Sequence, residues 1–574
     1  MVDIRKAPFN LDEQAVSWVE QTVAGMSQHE KICQLFADPL MGKNETELLD
    51  FLARYPIAGC GFRGIQWELS EAQRILGCMQ ESLKIPLLVS ADCGSGSSGQ
   101  LRGGTLVASG AQAGAAPDEG ETAYRTAKVA CTELGAVGYN WAFEPVGDIL
   151  INWRNCVINN RAFSSDTERV ITCARSYIKG VQEGNFVPCL KHFPGDGWEE
   201  RDQHLVPGNN GLSCEEWDET FGKVYRTFIE EGVLSIMIGH FTLPSWQRRL
   251  NPALRDEDMD TACLSQELID GLLRQRLGFN GLVLTDQSNM LGFYTRQRSE
   301  ALVLSINAGC DLILGTNDME EDYDIVHSAI ENGQITQERL HDALARILAT
   351  KASIGLHKKQ AEGHLVPPVE ALSVVGCAEH LEIARQAADD AITLVKNSRN
   401  QLPIHPRTHP NILVHVLQNE RTKSQFAAGV AAAGGAETIE HVKHALEEAG
   451  FCVTMWDAEQ GRSKGKTREF AKKYDAVFLF ADLSEFASIN SVRLRWNFPM
   501  EAIGPWYVPE VPTVFVSLNY TNHLFDVPRV PIFINAYNNR PETIALAIKK
   551  IMGESEFTGN ADKIMWCDHW DTRL

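Results

Sequence analysis

The sequence lacks three features, each of which would have indicated a particular class of protein. Its 14 cysteines include no CxxC pair, which argues against a zinc ribbon and against a dithiol redox site. No apolar run approaches the roughly 20 residues that a membrane-spanning helix needs. Positive charge is in deficit, because 53 Lys and Arg stand against 75 Asp and Glu, a formal net charge of −22. That charge repels phosphate backbones and anionic membranes, so we expect neither a nucleic-acid nor a membrane partner.

The N-terminal residues, the cysteines and the chain length indicate the compartment and the number of domains. The first residues, MVDIRKAPFNLDEQ, contain no hydrophobic stretch of the kind that a signal peptide needs. Single, scattered cysteines are typical of reduced and mostly buried thiols. We therefore expect a cytoplasmic protein. A chain of 574 residues is long enough for two or three domains, and the sequence leaves its oligomeric state open.

One pattern recurs from about residue 30 to residue 315: a short apolar run ends in a polar or charged residue, and a helical stretch follows. Continuous apolar runs are typical of parallel strands that are buried on both faces. Eight such units predict an α/β fold with a TIM (β/α)8 barrel over residues 1–358, and a doubly wound open sheet is the alternative. The runs are Ile32–Phe36, Ile57–Phe62, Pro86–Asp92, Trp141–Asp148, Val187–His192, Leu234–His240, Gly281–Asp286 and Asp311–Gly315.

Five of these runs end in side chains that can carry chemistry. In a barrel the carboxyl ends of the strands converge at one mouth, where active sites form. Any one of these residues could instead be a helix N-cap or a loop residue, but five at corresponding positions favour one shared site. The residues are Asp92, Asp148, Lys191–His192, His240 and Asp286.

A boundary and a second domain follow the barrel. Residues 358–370 read KKQAEGHLVPPVE, polar and then proline-paired, and we place a linker at residues 359–380. Apolar runs alternate with helical patterns beyond it and predict an α/β sandwich domain over residues 381–574. Its predicted strands are Ile412–Leu417, Ala476–Phe480, Thr513–Ser517 and Ile532–Asn535.

Several segments resemble one known family. Residues 191–207 read KHFPGDGWEERDQHLVP and are similar to glycoside hydrolase family 3, in particular its β-N-acetylglucosaminidase branch, which typically reads KHFPGHG, four residues, then D-S-H. FNGLVLTDQSNM at 279–290, EPVGDILINWRNCVINNRAF at 144–163 and AGCDLIL at 308–314 resemble the same family. The likeness continues at 387–403 and 534–559, so it covers nearly the whole chain.

The resemblance implies a catalytic pair. Cleavage of a glycoside with retention needs a nucleophile on one face of the anomeric carbon and a proton donor on the other. Asp286 matches the family's nucleophilic aspartate and follows a buried strand that can hold it rigidly. His204 matches the branch's acid/base, which suits an imidazole because it titrates near neutrality. Asp202 would orient that imidazole and raise its basicity.

The resemblance also implies a set of sugar ligands. Lys191 and His192 look like the family's hydroxyl-binding pair, since charged and imidazole donors make strong hydrogen bonds. Asp92 resembles the carboxylate that binds the far hydroxyls of the same ring, and Arg161 resembles the arginine beside it. Each of these could instead form a buried structural ion pair. His240 either lines the pocket floor or is a core histidine.

The chain departs from the family pattern at two places. The second histidine of FPGHG is Asp196 here. The family's EGGRVQR segment after the binding aspartate is replaced by CGSGSSGQLRGG at residues 93–104. Arg102 is the candidate for its arginine. Both changes bear on the sugar that is bound, and less on the class of reaction.

We therefore expect a retaining exo-glycosidase that releases β-linked N-acetylglucosamine from small carbohydrate substrates without a metal or organic cofactor. A phosphorylase on the same scaffold is an alternative, because a neutral imidazole does not repel phosphate as a carboxylate does. A β-glucosidase with an acid from the second domain, such as Glu485, is another. A non-catalytic sugar-binding protein on a decayed barrel is a fourth, and the complete set of catalytic residues argues against it.

Overall fold

The computed structural model describes residues 2–418, 436–457, 467–483, 490–494, 496 and 505–574. Glu485 lies outside these described residues. No helix within them is long and apolar enough to cross a membrane. All 14 cysteines lie within them as free thiols, and all but Cys78, Cys377 and Cys452 are buried.

A closed barrel of parallel strands forms the first part of the chain. The strands pair in the order β10–β1–β2–β3–β4–β5–β7–β9, and a parallel bridge between Leu284 and Leu312 joins the two ends of that order. The predicted TIM barrel is thus confirmed, and the open sheet is not. The strands are β1 Phe36–Asp38, β2 Gly59–Gly61, β3 Leu88–Ala91, β4 Trp141–Ala142, β5 Val187–Phe193, β6 Gly208–Asn209, β7 Ser235–Ile238, β8 Phe241–Thr242, β9 Leu282–Thr285 and β10 Ile313–Leu314. β6 and β8 pair only with each other.

Helices cover the outside of the barrel. Most follow a strand, as the recurring sequence pattern predicts, and α13 packs against α1. They are α1 Glu13–Gly25, α2 Gln28–Cys33, α3 Glu45–Arg54, α4 Leu69–Glu81, α5 Gly110–Ala115, α6 Glu121–Val137, α7 Thr167–Glu183, α8 Cys214–Glu219, α9 Phe221–Glu230, α10 Pro244–Leu250, a π-helix Glu267–Arg276, α11 Arg298–Ala308, α12 Met319–Glu331, α13 Gln337–Ser353 and α14 Leu356–Ala361.

Three elements differ from their predicted bounds. The first predicted strand began at Ile32, but that residue lies in the last turn of α2, which a capping box of Ser27 and Glu30 starts and which ends at Cys33. The helical stretch expected between the Val187–His192 and Leu234–His240 runs is split at Thr220, whose backbone leaves the helical region. The predicted strand that starts at Trp141 covers two residues, and its pairing with β5 resumes at a parallel bridge between Val146 and Lys191.

A second sheet forms the rest of the chain, in the order β11–β16–β15–β14–β12–β13, parallel except for the antiparallel pair β11–β16. All four predicted strands of this half are present. The strands are β11 Thr393–Asn397, β12 Asn411–Gln418, β13 Cys452–Met455, β14 Ala476–Asp482, β15 Thr513–Ser517 and β16 Ile532–Asn535. The helices are α15 Ala378–Ala391, α16 Ala436–Glu448, α17 Thr467–Lys473 and α18 Pro541–Ile551.

The second sheet shares a hydrophobic core with a loop of the barrel. Phe515 and Phe533 on one face of the second sheet belong to the same buried cluster as Leu150, Trp153 and Ile158, which lie on the barrel loop after β4. Burial of these apolar side chains helps to hold the second sheet against the barrel loop. The bounds 1–358 and 381–574 for the two domains stay a prediction.

Short 3-10 turns complete the fold. Within the predicted linker, Leu365, Val366, Leu372 and Val375 pack on the barrel core, so this segment is attached to the barrel surface. The 3-10 turns are Gly64–Gln66, Asp256–Asp258, Ala262–Leu264, Leu291–Phe293, Val369–Val374, His523–Phe525, Lys563–Trp566 and Trp570–Arg573.

Candidate active site

Asp286 sits at the centre of the barrel mouth, directly after β9. Its backbone N–H donates to the carbonyl oxygen of Ile238 at 2.8 Å, which continues the pairing of β9 with β7. Its Oδ1 accepts the N–H of Gln287 at 2.7 Å. Its Oδ2 lies 3.9 Å from Nε2 of His192, and the side chain is 12 % exposed. The carboxylate is therefore held in one orientation with limited access to solvent.

Three imidazoles surround this carboxylate. Burial works to raise the pKa of Asp286, but His192, His240 and His204, in that order of effect, outweigh it. The net pKa of Asp286 is lowered. The carboxylate is thus ionised at neutral pH, which is the state in which it can attack a carbon atom.

His192 is itself held by a buried carboxylate. Its Nδ1–H donates to Oδ2 of Asp148 at 2.7 Å, and its backbone N–H donates to Oδ1 of the same residue at 3.1 Å. Asp148 is fully buried. This bond fixes the tautomer and turns Nε2 of His192 toward the mouth and Asp286.

Asp202 and His204 form a second imidazole–carboxylate pair. Oδ1 of Asp202 accepts both the backbone N–H of His204 at 2.8 Å and its Nδ1–H at 2.6 Å. The His204 side chain is 22 % exposed, whereas the Asp202 side chain is fully buried. The pairing leaves Nε2 of His204 available to give or take a proton. The second sheet domain also contacts this pair, because the Asp202 N–H donates to Oδ1 of Asn490 at 3.0 Å.

A cluster of charged side chains lies on the other side of the mouth. Nζ of Lys191 contacts Oδ1 of Asp92 at 2.8 Å and Oε1 of Glu144 at 3.5 Å. Burial works to lower the pKa of Lys191, but the two carboxylates outweigh it and the net pKa is raised. The Asp92 side chain is 50 % exposed. A charged Lys–Asp pair that opens onto the mouth is suited to bind vicinal sugar hydroxyls.

Arginines stand beside Asp92. Burial works to raise the pKa of Asp92, but Lys191, then Arg161 and Arg63, lower it overall. Arg161 was predicted there from the sequence, whereas Arg63 was not. The register of β2 against β3 pairs Gly61 with Ser90, so two residues further on Arg63 lies level with Asp92.

Two residues of this arrangement, Glu144 and Arg63, were not predicted from the sequence. Glu144 lies in the segment that resembles the family. Asp148 was predicted at the mouth as a strand-end residue, but its hydrogen bond to His192 was not. Arg63 follows the second predicted apolar run, so the same strand-end rule that selected Asp92 could have selected it.

Arg102 and His240 are the two remaining predicted site residues. Arg102 is 53 % exposed and pairs with Glu68 at the surface, and among the described residues no hydrogen bond or ion pair joins it to the other predicted site residues. His240 is fully buried, and its Nε2–H donates to the carbonyl oxygen of Gln287 at 3.0 Å. His240 thus lies buried at the mouth beside Asp286, and a role in sugar binding stays a prediction.

This arrangement of side chains at the mouth of a (β/α)8 barrel is typical of glycoside hydrolases. Residues 29–350 match the family described as "Glycosyl hydrolase family 3 N terminal domain". The chain is 38 % identical over 578 residues to a protein of Cellulomonas fimi named "Beta-N-acetylglucosaminidase/beta-glucosidase", and the match covers 100 % of both chains. The chain therefore belongs to glycoside hydrolase family 3 and is an enzyme.

Solved structures agree with this assignment. A "Beta-glucoside phosphorylase BglX bound to 2FGlc" is 33 % identical with a TM-score of 0.90, covering 97 % of this chain and 98 % of that chain. A family 3 β-N-acetylglucosaminidase from Paenibacillus sp. str. FPU-7 is 24 % identical with a TM-score of 0.75, covering 93 % of this chain and 98 % of that chain. The second likeness shows the fold alone.

Proposed function

We propose that this enzyme is a retaining exo-glycosidase that releases β-linked N-acetylglucosamine from short glycosides. One observation carries the proposal: an ionised carboxylate, Asp286, shares the barrel mouth with an imidazole, His204, whose Nδ1 is committed to Asp202. The first group suits covalent attack, and the second suits proton transfer. Lys191, His192, Asp92 and Arg161 are the proposed ligands of the sugar hydroxyls.

The first half of the reaction forms a glycosyl-enzyme. A carboxylate oxygen of Asp286 forms a bond to the anomeric carbon while the bond from that carbon to the leaving oxygen breaks. The proton on Nε2 of His204 moves to the leaving oxygen, and Asp202 stabilises the imidazolium before this transfer. The lowered pKa of Asp286 keeps its carboxylate ionised for this attack.

The second half releases the sugar. An acceptor oxygen forms a bond to the anomeric carbon, the ester bond to Asp286 breaks, and the neutral imidazole of His204 takes the acceptor's proton. With water as acceptor the product is the free sugar with retained configuration. Both catalytic side chains then return to their starting protonation states.

The relative from Cellulomonas fimi supports the proposed sugar, since its printed name includes a β-N-acetylglucosaminidase activity. The same name includes β-glucosidase, so glucosides are the sugars against which the preference must be measured. The Asp202–Gln203–His204 signature resembles the glucosaminidase branch and favours N-acetylglucosamine.

Phosphate is the second candidate acceptor. An imidazole that has given up its proton is neutral, so it does not repel a phosphate anion that approaches the glycosyl-enzyme. The structural likeness to a β-glucoside phosphorylase supports this alternative. Attack by a phosphate oxygen would release a sugar 1-phosphate in place of the free sugar.

A single set of assays tests these proposals. We expect p-nitrophenyl β-N-acetylglucosaminide to exceed the β-glucoside in kcat/KM, and a 2-fluoro sugar with a good leaving group to label Asp286 by mass spectrometry. Turnover measured with and without inorganic phosphate, with the product identified, separates hydrolysis from phosphorolysis. Label on another residue would contradict the nucleophile, and an equal or reversed sugar preference would indicate a glucosidase.

A further inference from the structure

Gln203, between the two members of the proposed catalytic pair, holds the turn that carries them. It is 1 % exposed, and its Oε1 accepts the backbone N–H of His240 at 2.8 Å. Its carbonyl oxygen accepts the N–H of Gly292 at 3.1 Å, and that of His204 accepts the N–H of Leu291 at 3.1 Å. The turn is thus fastened to the loops after β7 and β9.

The same contacts lead to the nucleophile. Nε2–H of His240 donates to the carbonyl oxygen of Gln287 at 3.0 Å, and the N–H of Gln287 donates to Oδ1 of Asp286 at 2.7 Å. His240 is fully buried and burial lowers its pKa, so its ring is neutral and its single proton sits on Nε2. Hydrogen bonds therefore link Gln203 to Asp286 through one buried histidine.

We propose that Gln203 is a positioning residue that sets the placement of His204 relative to Asp286. The inference rests on the proposed function, in which His204 is the acid/base. The two groups sit on loops after different strands, and both must meet the same glycosidic bond. A displacement of about 1 Å between such groups costs a large part of the rate.

The length of the Gln203 side chain allows its Oε1 to reach the backbone N–H of His240. The signature that this segment resembles carries serine between the aspartate and the histidine. A serine hydroxyl ends one atom beyond Cβ and does not reach the amide that Oε1 of Gln203 contacts. In this chain, glutamine supplies a link between the two loops that serine could not make.

The test is a double-mutant cycle between Gln203 and His204. Gln203→Met keeps the length of the side chain and removes the acceptor, and Gln203→Glu keeps an acceptor oxygen as the matched control. We expect Gln203→Met to lower kcat on a β-linked disaccharide about tenfold, with a smaller loss on an aryl glycoside that needs little protonation. In a His204→Ala background it should add no further loss. Gln203→Glu should retain most of the activity.

Other outcomes would overturn the inference. Equal losses on both substrates, or the same loss in the His204→Ala background, would show that Gln203 supports the fold and not the proton donor. Full activity of Gln203→Met would also contradict a positioning role for Gln203. Labelling of Asp286 by a 2-fluoro sugar reports whether each variant is folded. If Gln203→Met does not fold, Gln203→Ser takes its place in the cycle. A fully active His204→Ala enzyme would instead remove the proposed acid/base, and this inference with it.

Discussion

Asp196 stands where the family signature carries histidine, and its surroundings leave its charge poorly compensated. It is 1 % exposed, and burial, followed by the nearby carboxylate of Asp148, raises its pKa well above the usual value. The N–H of Gly197 and Nδ2 of Asn155 donate to its Oδ1 and offset part of that effect. Burial and the Asp148 carboxylate therefore favour the neutral acid form of Asp196 over its carboxylate.

Replacement of Asp196 by Asn should stabilise the protein in a pH-dependent way. The unfolded side chain ionises at about pH 3.9, whereas the folded one has a raised pKa, so rising pH favours the unfolded wild type over this interval. Asn keeps the acceptor oxygen and removes the ionisation. We expect the free energy of unfolding of Asp196→Asn to exceed that of wild type by about 1 kcal/mol or more near pH 7, and to equal it below about pH 3.5.

Urea unfolding at a series of pH values measures this difference. The control is Asp256→Asn, at a side chain that is 82 % exposed. We expect no pH-dependent gain in its free energy of unfolding. A gain for Asp196→Asn that is constant with pH would mean that the ionisation of Asp196 is not its cause.

At the scale of elements, the site depends on how the loops after β5, β7 and β9 pack together. Strand β9 delivers Asp286, while the long loop after β5 returns across the mouth and delivers Asp202 and His204. These loops approach each other closely at Gly292. A Cβ built there would lie 2.4 Å from the carbonyl oxygen of Gln203 and 2.8 Å from Cβ of His240.

Gly292→Ala should therefore displace the turn that holds the proposed acid/base. Because one of the close neighbours is backbone, the turn itself must shift, and overpacking of this kind costs about 1–3 kcal/mol of stability. We expect kcat on a disaccharide to fall about tenfold, with a smaller loss on an activated aryl glycoside. Gly77→Ala on α4, where nothing lies within 4 Å of an added Cβ, is the control and should leave kcat unchanged.

Steady-state kinetics with both substrates and a thermal melt test this expectation. A Gly292→Ala enzyme with wild-type kinetics and stability would show that the two loops can separate at no cost.

At the scale of the whole molecule, the second domain completes the wall of the site. Besides the shared core, Nδ2 of Asn522 donates to the carbonyl oxygen of Trp153 at 2.9 Å, and Oδ1 of Asn490 accepts the N–H of Asp202. The first contact joins the two domains through the loop after β4, and the second involves Asp202 of the Asp202–His204 pair itself.

This difference gives a matched pair of variants. Asn490→Ala should lower kcat on a disaccharide several-fold more than on an activated aryl glycoside. The reason is that the turn that carries Asp202 and His204 loses one hydrogen bond, at a cost of about 1 kcal/mol. Asn522→Ala should lower the melting temperature with equal effects on the two substrates. Leaving-group selectivity measured for both variants checks this. If Asn490→Ala and Asn522→Ala show the same leaving-group selectivity, the second domain has no part in placing Asp202 and His204.

Much of this protein was predictable from local pattern. The alternation of buried apolar runs with helical stretches predicts a barrel, because a parallel strand buried on both faces needs a continuous apolar run wherever it occurs. Asp286, His204 and Asp202 stand in short motifs whose spacing is itself the signal. Lys191 and His192 follow for the same reason, since one strand carries both.

Tertiary structure alone decided which distant residues join them. Arg63, and not Arg102, lies beside Asp92, because the register of β2 against β3 brings residues 29 positions apart to the same level. His240 lies two residues past the end of β7, and packing turns its Nε2–H to the carbonyl oxygen of Gln287. Such contacts depend on strand register and on how loops fill the mouth. These are properties of the closed barrel, and no local stretch of sequence contains them.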